Sequence, residues 1–148
     1  MPFSKNLNYS WWALRMGLGL AAFLAGLDKF FNLLTNWNMY LSPLAERFLP
    51  LSGKTLMLVI GPVEMLVGLA ILTRWTRMGA YVASAWLLAI ALNLLTTGSF
   101  FDIAVRDVVM AIGGFALANL TEARDTARNA QWSKSRLTSE PPRPVAAA

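Results

Sequence analysis

Apolar residues run along this chain in four long blocks separated by polar connections. The blocks cover about residues 11–34, 55–72, 78–95 and 102–120. Each matches the roughly 17 to 25 residues that an α-helix needs to cross a hydrocarbon layer about 30 Å thick. None is long enough to cross twice. The first block does not read as a cleaved signal peptide, because no small-residue cleavage site follows a short apolar core and three more spans come after it. The pattern predicts an all-α integral membrane protein, a four-helix bundle. A short arm over residues 1–10 precedes the four-helix domain over 11–120, and a basic tail over 121–148 follows it.

The connections set the expected orientation. Lys5, Arg74, Arg77, Arg124, Arg128, Lys134, Arg136 and Arg143 share one side of the four-span arrangement, whereas Arg47 and Lys54 fall on the other. Loops rich in Lys and Arg stay in the cytoplasm, so both termini are expected there, in a bacterial inner membrane. Trp11, Trp12 and Trp75 then mark the inner boundary, and Trp37, Tyr40, Phe100 and Phe101 the outer one. In "YLSPLAERFLP" the Ser42–Pro43 start and the Pro50 stop predict a short surface helix over residues 43–49. Ser99, three residues before Asp102, has the spacing of a capping box and makes Asp102 a helix-start device. Beyond Leu120 the tail is expected to stay helical for two or three turns before a Pro-rich, disordered end.

Composition narrows the chemistry. The 148 residues are 56% hydrophobic and 14% charged, and they include no cysteine and no histidine. Disulfides, thiol catalysis, zinc sites and histidine-ligated haem are therefore not expected, and no metal site is. The net charge of +5 is spread over the connections instead of one amphipathic element, so it reads as membrane topology and not as nucleic-acid binding.

Against this background the polar residues inside the spans stand out. Given the orientation above, Asp28 and Lys29 lie in the outer third of the first helix and Glu64 near the middle of the second. Asn93 is close to the outer end of the third, and Asp102, Arg106 and Asp107 are in the first turns of the fourth. Four segments thus deliver polar groups to one half of the membrane. Each such group costs on the order of 2.5 to 3.5 kcal/mol at a helix centre, so the groups should face one another or a watered cavity. Arg15, Gly19, Gly26 and Lys29 share one face of the first helix, and Gly61, Glu64 and Gly68 one face of the second. Small residues beside charged ones let helix backbones approach. Arg15, near the inner end, reads as reaching for lipid phosphate, and Asp28, about 100° around the helix from Lys29, as snorkelling to the outer interface. Glu64, the deepest group, is expected to lie below Lys29 and so to be at least partly protonated, an outcome that turns on whether Lys29 reaches down the bundle to it. The cluster admits two readings, a docking knot between helices and a polar pocket opening outward.

"LRMGLGLAAFLAGLDKFF", "GPVEMLVGLAIL", "RMGAYVASAWLLAIALNLL" and "DIAVRDVVMAIGGFALANL" in that order resemble the DoxX family of small four-helix bacterial membrane proteins, from Leu14 to Leu120. The family pattern falls on Arg15, Gly19, Gly26, Lys29, Gly61, Glu64, Arg106 and Asp107. The resemblance implies a redox-associated membrane subunit similar to the DoxD subunit of a thiosulfate:quinone oxidoreductase. On that reading Glu64 exchanges protons, and Lys29, Arg106, Asp107 and Asn93 line a quinone or small-substrate pocket. Arg15, Gly19, Gly26, Gly61, Gly68 and Asp102 serve packing and structure. No covalent cofactor is expected, and a quinone is the candidate ligand. With no cysteine, any sulfur-oxidising role needs another subunit. The other reading is a non-catalytic accessory or assembly subunit, held by its small-residue faces and basic tail to other membrane or redox subunits or to its own copies.

Overall fold

The computed structural model describes residues 4–43 and 52–139. Four helices, α1 (Lys5–Phe31), α2 (Gly53–Leu72), α3 (Thr76–Thr96) and α4 (Phe101–Ser139), run up, down, up and down, with a 3₁₀ turn at Trp37–Tyr40 between the first two. All four are long and apolar enough to cross a membrane. Apart from Pro43, the surface helix expected over residues 43–49 lies outside the described residues, as does the Pro-rich end of the tail.

Helix ends follow local capping chemistry more than hydropathy. Ser4 accepts a hydrogen bond from Leu7 N, so α1 starts at Lys5, before the apolar block begins. It stops at Phe31 because Asn32 turns into the left-handed conformation at φ 52° and returns its N–H to the Asp28 carbonyl. Fourth in order, α4 begins at Phe101, one residue before the expected Asp102. Ala104 N donates to the Phe100 carbonyl, and the left-handed Phe100 and Gly98 bend the chain into the helix. Asp102 is exposed in that first turn, where a negative charge suits the helix dipole. At its far end α4 continues to Ser139, well beyond the two or three turns expected after Leu120.

The packing is closest within two pairs, α1 with α2 and α3 with α4. Glycine makes the first pair possible. A Cβ on Gly26 would sit 2.5 Å from the Gly61 carbonyl oxygen, and one on Gly61 would sit 2.8 Å from that of Gly26. Gly68 and Gly19 repeat the arrangement lower down, with Gly68 against the Gly19 carbonyl and Gly19 against Leu72. In the second pair Ser84 Oγ donates to the Ala111 carbonyl at 2.7 Å. The pairs join at the end that carries the termini, around Trp11, Ile71, Ala80, Leu117 and Ala118. There Trp11 Nε1 donates to Thr121 Oγ1 at 2.8 Å. Leu20, Leu24, Leu66, Leu92 and Ile112 face outward, as residues in contact with lipid tails do.

Candidate functional site

Lys29 and Glu64 form the centre of the polar cluster. The close passage of α1 over α2 at Gly26 and Gly61 lets Lys29 Nζ reach Glu64 Oε2 at 2.5 Å. Lys29 therefore does reach down the bundle to Glu64: two helices separated by ordinary side chains would leave a gap, and two helices in backbone contact close it. Both residues are buried, Lys29 with 6% and Glu64 with 7% of its surface exposed. The second carboxylate oxygen of Glu64 accepts from Trp86 Nε1 on α3 at 3.2 Å. Lys29 Nζ also lies 3.8 Å from the centroid of the Trp37 ring, a cation–π contact in a dry site.

Asp107 on α4 completes the set of helices. It is 7% exposed and lies within electrostatic range of Lys29 and Glu64. Its contact is an ion pair with its neighbour, Arg106 Nε to Asp107 Oδ1 at 3.9 Å, and its carboxylate makes no hydrogen bond among the described residues. No fully buried side-chain nitrogen or oxygen lacks a hydrogen-bond partner among the described residues, so the unbonded Asp107 oxygens are not fully buried. Asp107 thus keeps a partly accessible, unsatisfied carboxylate beside a saturated Lys–Glu–Trp centre. The Arg106 side chain is 67% exposed and turns out of the bundle.

Other polar residues serve the scaffold. Asn93 gives both ends of its amide to the connection between α1 and α2, donating to the Tyr40 carbonyl at 2.7 Å and accepting from Ser42 N at 3.2 Å. It clamps the connection over the cluster. Asp28 is buried instead of snorkelling: its carboxylate accepts from Leu33 N, Leu34 N and Trp37 Nε1, which ties the Trp37 ring above Lys29. Arg15 reaches the end of α2 instead of lipid phosphate, donating to the carbonyls of Ile71, Leu72 and Thr73 at 3.0, 2.7 and 2.6 Å. Those carbonyls have no partner within their own helix, and a guanidinium fork is suited to several at once. Gly19, Gly26, Gly61 and Gly68 stand where α1 and α2 touch.

Trp86 and Trp37 are the site residues that the charge pattern does not reveal. A signal for Trp86 existed, because tryptophan favours membrane interfaces and a mid-span indole N–H needs a buried acceptor. Among the described residues no group of three or more acids is placed to hold a metal ion. Comparison with protein-family models, with curated proteins and with solved structures finds no match.

Proposed function

We propose that this chain is a redox-associated subunit of a bacterial inner membrane, related to the DoxX family, whose cluster binds the polar head of a quinone or a small polar substrate in the outer half of the bilayer. The single observation that carries this reading is Asp107. A carboxylate on a largely buried residue, its oxygens partly accessible beside a buried ion pair and without a hydrogen bond among the described residues, is an acceptor open to a ligand. A quinol hydroxyl or another ligand O–H or N–H satisfies it.

Glu64 is the proton-exchanging group behind Asp107, held in position by Lys29 and Trp86. The Lys29 charge stabilises negative charge that develops on a bound head group. Arg106, at the rim, places a cation beside Asp107 at the entrance to the cluster. Asn93 supports the site from outside, since both ends of its amide are occupied. Electrons come from a partner subunit, in keeping with a chain that has neither cysteine nor histidine.

Titration with a short-chain quinone, followed through tryptophan fluorescence, tests the reading. Trp86 and Trp37 border the cluster, so a bound quinone should quench them. Asp107→Asn should weaken saturation at least tenfold with the helices intact. Equal titrations for both proteins would contradict the proposal. The alternative, an accessory or assembly subunit, is favoured by one observation: both Glu64 oxygens already have partners, as in a docking knot. Full turnover of the parent complex after deletion of this chain would select it.

A further inference from the structure

A groove of about 310 Å³ lies between the first turns of α1 and the extension of α4, at the opposite end of the bundle from the cluster. Its walls are Lys5, Asn8, Arg124, Ala127, Arg128 and Gln131. Arg128 has an exposed acid nearby, Asp125 at 3.7 Å. Lys5 and Arg124 make no ion pair among the described residues. Instead the Arg124 guanidinium lies 3.9 Å from the Trp11 ring centroid and that of Arg15 lies 4.8 Å from it, so two like charges meet at one indole. The fold therefore gathers positive charge here and leaves most of it without a carboxylate.

The depth of the groove identifies what neutralises it. The Trp11–Thr121 hydrogen bond fixes one level in the bundle, beside the exposed Trp12 and Trp75. At 1.5 Å per helical residue, Arg124 lies about 4.5 Å beyond that level, Lys5 about 9 Å and Arg128 about 10.5 Å. A headgroup layer is about 5 to 8 Å deep on each side of the hydrocarbon. Arg124 thus sits within that layer, and Lys5 and Arg128 lie just beyond it, where their long side chains reach back to the phosphates. Exposed Trp12, at the Trp11 level on α1, suits the start of an acyl chain. Basic recesses between helices at this depth suit lipid phosphates.

We propose that this groove binds the phosphate diester of an anionic membrane lipid, in the leaflet at the end that carries the chain termini. Lys5 and Arg128 close on the phosphate from the two helices, Arg124 lies beneath it, and Asn8 and Gln131 are placed to donate to its oxygens. The bound lipid ties the α4 extension to the foot of α1. The proposal is independent of any ligand in the outer cluster.

Native mass spectrometry of the full chain in mild detergent, titrated with phosphatidylglycerol or phosphatidylcholine, tests it. Phosphatidylglycerol should bind at least tenfold more tightly. Lys5→Gln with Arg128→Gln leaves the Arg124–Trp11 contact in place and should weaken phosphatidylglycerol about thirtyfold. Arg74→Gln with Arg136→Gln removes equal charge outside the groove and should change binding less than twofold. Circular dichroism reports whether each variant is folded, and Arg128→Gln alone, expected to lose about fivefold, replaces a double variant that is not. Equal binding of the two lipids, or equal losses in the two double variants, would overturn the site. Displacement of phosphatidylglycerol by millimolar inorganic phosphate would overturn the lipid assignment in favour of a free anion.

Discussion

Lys29 carries two loads, the countercharge to Glu64 and the cation above Trp37. Removing one member of a buried ion pair typically costs about 3 to 5 kcal/mol, because the survivor is left without a partner. Lys29→Met should therefore destabilise the protein by about 3 kcal/mol in a denaturant titration in micelles. Adding Glu64→Met should recover more than half of that loss, since an apolar pair of similar volume strands no charge. If the double variant is as unstable as the sum of its single variants, Lys29 and Glu64 are not energetically coupled. Trp86→Phe tests the other Glu64 contact. It keeps an aromatic ring but removes the pyrrole part of the indole with its hydrogen bond to a charged group, and should cost at least about 1.5 to 3 kcal/mol by the same titration.

Between helices, contact depends on what is missing from the glycines. Gly26→Ala places a methyl group 2.5 Å from a backbone oxygen that cannot move away without its helix. Overpacking of this kind costs about 1 to 3 kcal/mol or more, and here it also pulls Lys29 from Glu64. Gly17→Ala is the internal control, because its Cβ meets nothing within 4 Å and a helical alanine is favoured over glycine by about 1 kcal/mol. Unfolding curves should therefore move in opposite directions for the two substitutions. The glycine faces and the four spans were readable from spacing and hydropathy, which act through one helix or one pair at a time. The ends of α1 were not, because they depend on Ser4 capping one end and Asn32 turning left-handed at the other. For the same reason Asp28 was misread. Its partners are the backbone N–H groups of Leu33 and Leu34, released only once the helix has stopped at Phe31. The role of Asn93 depends equally on a connection folding back over α3, for which a single span carries no sign.

In the whole molecule, two helix pairs bring together polar groups that lie far apart in sequence. Lys29, Glu64, Trp86 and Asp107 come from four different helices, and no two of them lie within 20 residues of each other in the chain. Membrane orientation decides which leaflet the cluster serves, and the Lys and Arg distribution predicts the outer one. A cytoplasmic reporter fused after Arg136 should be active, and a periplasmic reporter inserted at Asn36 should be active as well; the reverse pattern would move the cluster to the cytoplasmic half. The central claim is that the cluster holds a ligand through Asp107. The most direct measurement is mass spectrometry of the small molecules that co-purify with the chain from native membranes, for the wild type and for Asp107→Asn at equal folded yield. A quinone or other small redox-active molecule should accompany the wild type stoichiometrically and fall at least tenfold in the variant. A wild type that carries no such molecule, or a variant that carries as much as the wild type, would contradict it.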